Sequence, residues 1–203
     1  MAVTNLFEAI LGREQIKWDA WWHLFEWLLE PSQGHGLDNH VLTKLNSYIF
    51  GRTLPKFEIK REFQVSKVRD GRGKWVDLAV AMPSLDEPTH IMVMDDVDRR
   101  SPGGKRKLEN LIAYKALTRE RYPFATIRVV VVTNANDITA LEKTREHLGP
   151  EVDDYFASDG WRLLPLCLIG SWISSAQQPV PVDENANKMS LFLRDFAIWT
   201  ASL

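Results

Sequence analysis

With a single cysteine among 203 residues, the chain cannot build a disulfide framework. That residue, Cys167, lies in the apolar run LLPLCLIG, where a thiol is expected to pack as a small buried hydrophobe, and a reducing, cytoplasmic setting fits such usage. The histidines, His23, His35, His40, His90 and His147, are scattered at spacings that match no zinc pattern. There is no glycine-rich phosphate loop, which argues against a doubly wound nucleotide-binding fold. Ser171, Ser174 and Ser175 lack the glycine pattern of a nucleophile elbow, so a hydrolase triad is disfavoured. No apolar run reaches membrane-spanning length, and no basic leader precedes an apolar core in MAVTNLFEAILGREQ. Nor is there a surplus of one charge. Lys and Arg number 25 against 27 Asp and Glu, so any contact with nucleic acid needs a local basic surface.

What is present is globular: 45% hydrophobic and 26% charged residues with eight tryptophans, enough for one α/β domain with a substantial core. A single domain over 1–203 is expected, with N-terminal helices in 1–52, a core in 53–170 and a C-terminal linker and helix in 171–203. In WDAWWHLFEWLLE, Trp18, Trp21, Trp22, Leu24, Phe25, Leu28 and Leu29 recur at three- and four-residue steps, which predicts a helix with one wide apolar face, stopped by Pro31. These tryptophans read as core rather than as a base-stacking platform. SQGHGLDN predicts a turn ordered by His35, with Asp38 or Asn39 capping a helix that buries Val41, Leu42, Leu45 and Ile49 and ends at Gly51.

From Lys56 onward the period becomes two. FEIKREFQV, KWVDLAVAM and HIMVMDD predict three successive strands, joined by a hairpin at Gly71 and Gly73 and a turn between Pro83 and Pro88. A helix over about 105–121 follows, with Leu108, Leu111, Ile112 and Leu117 inward. TIRVVVVTN predicts a strand covered on both faces. DITALEKTREHLG predicts a helix capped by Asp137 and closed by Gly149. WRLLPLCLIG reads as a strand or strand and turn, QQPVPVDENAN as a linker and MSLFLRDFAIWTA as a terminal helix. The order predicts an antiparallel three-strand meander with a helical crossover to a fourth strand.

Asp77 sits inside KWVDLAVAM, sharing a face with Trp75, Ala79 and Ala81 while Val76, Leu78 and Val80 take the other. A carboxylate in a strand interior is costly unless paired, hydrogen-bonded or metal-bound; the alternative is an edge strand with that face in water. A meander can bring Glu62, Asp77 and Asp95 side by side, and clustered carboxylates repel unless a divalent cation neutralises them, which suits Mg²⁺ or Mn²⁺. A glutamate beside Lys60 and Arg61 is more usually part of a solvated face.

The chain resembles the PD-(D/E)XK nuclease superfamily, in its bacterial branch with a helical N-terminal region. WHLFEWLLEPSQGHGLDN is similar to that branch's H-x-x-x-L-x-W-L-L-(D/E)-P and H-G-L-G signature: Trp27, Leu28, Leu29, Glu30, Pro31, His35, Gly36 and Leu37 match, and Asp38 stands where glycine is usual. The likeness continues through REFQV, GRGKWVDLAV, IMVMDD, KLENLIAY and VVVVTN, roughly 15–135. It implies a restriction-endonuclease-like αβββαβ core, with a mixed sheet flanked by helices. It also implies Mg²⁺-dependent phosphodiester hydrolysis of nucleic acid, with Asp77 and an acid of the third strand as metal ligands.

The family pattern then requires a lysine two residues after that acid. With Asp95 as the acid, Val97 stands there; Asp96 with Asp98 gives an acid-x-acid variant, and Met94 with Asp96 loses the acid. The preferred register takes Asp95, with Asp96 as an accessory ligand and Lys105 or Lys107 as the substitute cation. Lys107 reads more readily as an ordinary solvated helix-start lysine. Arg72, Lys74, Arg99, Arg100 and Lys105 are the expected phosphate contacts. The missing lysine supports a second expectation: an inactive nuclease homologue that binds nucleic acid or a protein partner, for instance in phage defence. A homodimer is compatible with either.

Overall fold

A computed structural model describes residues 18–33, 35–65, 74–97, 104–134, 139–158, 160–176 and 184–201. The protein is α/β, and the described residues form seven helices and a five-stranded mixed sheet in the order β1-β2-β3-β4-β5. Contacts divide the chain into a helical unit, built from Met1–Thr53, Asn134–Ile138 and Pro165–Leu203, and a sheet unit, built from Leu54–Thr133 and Thr139–Leu164. No helix among the described residues is long and apolar enough to cross a membrane.

In the sheet unit, β1 (Glu58–Gln64), β2 (Trp75–Met82) and β3 (His90–Asp96) pair antiparallel in turn. Helix α3 (Gly104–Arg121) then carries the chain across to β4 (Thr126–Thr133), which pairs parallel to β3. The meander and crossover follow the two-residue period and the long apolar helix face of the sequence. Val129, Val130, Val131 and Val132 are all fully buried, as expected of a central strand covered on both sides. Helices α4 (Ala140–Leu148) and α5 (Val152–Ala157) precede β5 (Trp161–Pro165), where the Val129 N–H donates to the Gly160 carbonyl at 2.9 Å. Thr139 occupies the N-cap position of α4; Asp137 and the hairpin glycines Gly71 and Gly73 lie outside the described residues.

Leu108 and Leu111 of α3 pack in the apolar cluster of Ile91, Val93, Val129 and Val131, and full burial of a leucine side chain contributes about 1.5–3 kcal/mol. At the far end of α3 the Arg121 guanidinium lies 5.0 Å from the centre of the Phe63 ring and donates to the Gln64 carbonyl at 2.8 Å. This contact fastens the helix to the end of β1.

The helical unit contains α1 (Trp18–Leu29), a 3-10 turn at Pro31–Gln33, α2 (His40–Phe50), α6 (Leu166–Ala176) and α7 (Glu184–Ala201). Trp21 and Trp22 are core residues, and Trp21 stacks on Phe25 and Phe196. His35 orders its turn as expected. Its Nε2 donates to the Glu30 carbonyl at 3.1 Å, and the Leu37 N–H donates to Nδ1 at 3.0 Å, which fixes the neutral tautomer. Burial lowers its pKa against the opposing pull of the Glu30 carbonyl and the Asp38 charge.

Three local expectations need correction. Asn39 holds the N-cap position of α2 without a side-chain hydrogen bond, and Asp38 adopts a left-handed φ of 46°, so neither residue caps through its side chain. The run LLPLCLIG leaves β5 at Pro165 and enters α6, because Leu166, Ile169, Gly170 and Ile173 recur at helical spacing and bury one face. Cys167 falls off that face and is only partly buried.

Gly170 is required where α6 meets α7. A Cβ there would overlap the Thr200 hydroxyl and lie 3.1 Å from the Ala197 carbonyl oxygen, to which that hydroxyl donates at 2.9 Å. In an unobstructed helix Gly→Ala is favourable by about 1 kcal/mol. Here overpacking should win, costing about 1–3 kcal/mol, so Gly170→Ala is expected to lower Tm by several degrees in a thermal melt. An unchanged or raised Tm would show that the two helices part without penalty.

Candidate metal centre

The sheet positions the acids. Because Ile91, Met92, Val93 and Met94 bury β3 between β2 and β4, the two residues that end the strand are carried under the surface: Asp95 is 4% exposed and Asp96 7%. Asp77 approaches from β2, an interior strand of the sheet, so the reading of an edge strand in water does not apply. Asp77, Asp95 and Asp96 each offer a carboxylate oxygen, and these oxygens all lie within 4.8 Å of one another. Adjacent residues of a strand ordinarily point to opposite faces. Here the Asp96 N–H donates to Asp95 Oδ1 at 2.9 Å, and both carboxylates join the cluster at the strand end.

The ladder between β1 and β2 is interrupted beside the cluster. Pairing runs from Glu58↔Ala81 to Arg61↔Leu78 and resumes at Phe63↔Val76, so the skipped rung falls on Glu62 and Asp77. Glu62 has a left-handed φ of 47°, a conformation that costs an L-residue about 1–2 kcal/mol. Val76 joins the same apolar cluster as Ala79 and Ala81, so the strict alternation read from the sequence, with Val76 on the face of Leu78 and Val80, changes phase across this rung. Glu62, expected beside the other acids, stands outside the carboxylate set. Its side chain is 73% exposed and lies 3.5 Å from Arg61.

Helix α3 supplies the cation. Lys107 precedes Leu111 by four residues and Tyr114 by seven, so it shares their buried face, and its side chain is only 18% exposed. The Lys107 Nζ lies 2.5 Å from Asp95 Oδ1 and 3.8 Å from Asp96 Oδ1. This replaces the picture of a solvated helix-start lysine. Val97, at the position where the family pattern has lysine, is partly buried against the sheet unit's apolar cluster and donates its N–H to the Val132 carbonyl.

Tyr114 was not singled out from the sequence, although its spacing from Lys107 placed it on the same face. Burial followed by the Asp95 charge raises its pKa, so its hydroxyl keeps its proton at neutral pH. Of the expected phosphate contacts, Lys74 donates to Asn110 Oδ1 on α3 at 2.8 Å. Arg72, Arg99 and Arg100 lie outside the described residues, as do Asp98 and the Lys105 side chain.

Electrostatics explains what such a cluster accepts. Asp77 is pushed up to about 9 by burial first, then by the charges of Asp95 and Asp96 and a hydrogen bond to Asp95, against the opposing pull of Lys107. Burial alone would lower the Lys107 pKa, but Asp95 and Asp96 outweigh it and hold the ammonium above its ordinary range. One ammonium among three carboxylates leaves the cluster too negative to ionise fully. A proton on Asp77 relieves that excess, and so would a hard divalent cation, for which three carboxylates are a fitting oxygen donor set. No protein-family model matches the chain, and neither does any curated protein or solved structure.

Proposed function

We propose that the sheet unit is a Mg²⁺- or Mn²⁺-dependent phosphodiesterase of the PD-(D/E)XK type acting on nucleic acid. Lys107 carries this reading: a buried ammonium 2.5 Å from Asp95 supplies, from a helix, the cation that Val97 cannot supply from the strand. The antiparallel meander followed by a parallel fourth strand supports it, as do the convergent acids of β2 and β3.

Asp77, Asp95 and Asp96 would hold the ion, and a bound divalent cation activates water and offsets charge developing on the phosphate. Lys107 holds its proton throughout and adds a fixed positive charge at the same place. Tyr114, on the same helix face as Lys107, keeps its hydroxyl proton beside the Asp95 charge. Lys74 and the basic residues Arg72, Arg99, Arg100 and Lys105 are assigned to phosphate contacts that position the strand without reading its sequence.

The test is cleavage of plasmid, single-stranded DNA and RNA with Mg²⁺, Mn²⁺ or EDTA, with Asp77→Ala purified in parallel. Ion-dependent cleavage by the wild type alone is expected. Equal rates for the two proteins would sink the assignment, and nucleic-acid binding that survives Asp77→Ala without any cleavage would indicate an inactive binding module instead.

A further inference from the structure

Among the described side chains, one tryptophan is left more than half exposed. Trp75, at the start of β2, is 52% exposed, whereas Trp21, Trp22, Trp161 and Trp199 are buried. No ring stacking or cation–π contact with the described residues engages its indole. Lys74 reaches across to Asn110 of α3, and Val76 is buried in the apolar cluster that packs on α3, so Trp75 between them leaves the strand on the side away from that helix.

A lone apolar side chain on a surface is ordinary. What sets Trp75 apart is what adjoins it in the chain: an oriented ammonium before it and an acid of the candidate metal centre two residues after it. A rise of about 3.3 Å per residue puts its backbone roughly 7 Å from that of Asp77, about two nucleotide steps along a strand of nucleic acid. The Lys74 Nζ donates to the neutral Asn110 Oδ1 at 2.8 Å, and Asn110 follows Lys107 by three residues, so the two lysines are held at positions one turn apart on α3. A phosphate backbone that runs past Lys74 toward the acids brings its bases past Trp75. The face of an indole suits any base, but in a duplex both faces of each base are already covered by the stack.

We propose that Trp75 stacks on an unpaired base of the bound strand, beside the phosphate that Lys74 contacts, and thereby selects single-stranded over duplex nucleic acid; this step rests on the nucleic-acid reading above. Stacking on an aromatic side chain is strong enough that its loss lowers affinity roughly five- to a hundredfold. It is also tolerant of sequence, so the selection concerns strandedness and not base identity.

The experiment measures binding of the full chain to a fluorescein-labelled oligothymidylate and to a duplex of the same length, by anisotropy in EDTA so that no cleavage intervenes. An abasic residue is then walked along the single strand one position at a time. The wild type is expected to prefer the single strand and to lose roughly five- to a hundredfold when the abasic residue falls at one position. Trp75→Ala should lose a similar factor on the intact single strand, become indifferent to the abasic residue at every position and bind duplex as before. Trp75→Phe should keep most of the wild-type affinity. Equal losses on single strand and duplex would overturn the proposal, and so would wild-type binding that ignores the abasic residue, a readout that holds even where Trp75→Ala fails to fold. Absence of any binding by the wild type would overturn the nucleic-acid reading itself. Position-dependent binding without ion-dependent cleavage would leave Trp75 as a stacking residue and remove only the catalytic assignment.

Discussion

Lys107→Ala is expected to slow ion-dependent phosphodiester cleavage by about a hundredfold to a thousandfold, the usual cost of losing one preorganised charge-stabilising group. The effect should fall on kcat and kcat/KM alike, because the ammonium is buried against Asp95 and serves charge that develops during the reaction rather than initial association. Removal also leaves three acids without their cation. The ion-free variant should therefore melt at lower temperature than the wild type, and saturating Mg²⁺ should return part of the difference. Steady-state kinetics under saturating ion measures the first effect and thermal melts with and without ion the second. A rate within a fewfold of wild type would reduce Lys107 to a purely structural partner of Asp95.

Ion affinity is expected to rise about tenfold per pH unit until pH approaches 9, roughly a thousandfold between pH 6 and pH 9. The ion requires ionised Asp77, and below pH 9 burial and the neighbouring acids keep a proton there. Binding near neutral pH should therefore release about one proton per chain, read as a dependence of the calorimetric enthalpy on the ionisation enthalpy of the buffer. The same shift fixes the sign of the ion-free stability. A carboxyl whose folded pKa lies above its unfolded value of 3.8 binds more protons folded than unfolded between those values, so stability is fullest below pH 4 for this group and declines as pH rises toward 9. Affinity that does not vary with pH would show that Asp77 is ionised without the ion.

Much of this arrangement was legible in the residues. The two-residue period gave the meander, the continuous valines gave the central strand, and the costly position of Asp77 and the acids closing HIMVMDD pointed to their meeting. Other features depend on contacts that no local pattern encodes. Face alternation admits only Asp95 or Asp96 to a single face, whereas one backbone hydrogen bond at the strand end brings in both. Glu62 was placed beside Asp77 by the register, correctly for the backbone, yet a left-handed φ accompanies a side chain turned to solvent. Lys107 was legible as a residue one turn before Leu111. Its approach to Asp95 depends on how α3 docks after the crossover, and sequence spacing does not fix that. LLPLCLIG is too short and too uniformly apolar for period alone to separate strand from helix, and the break falls at Pro165.

The origin of the cation in a helix, rather than on the strand that carries the acid, also has a consequence for how the protein is made. Synthesis runs from the N-terminus, so Asp77, Asp95 and Asp96 leave the ribosome before Lys107, and well before β4 can pair beside β3. Until Lys107 is in place the acids lack the counter-charge it supplies, and their mutual repulsion opposes bringing them together. Seating α3 against β3 therefore brings the ammonium and the acids together in one step.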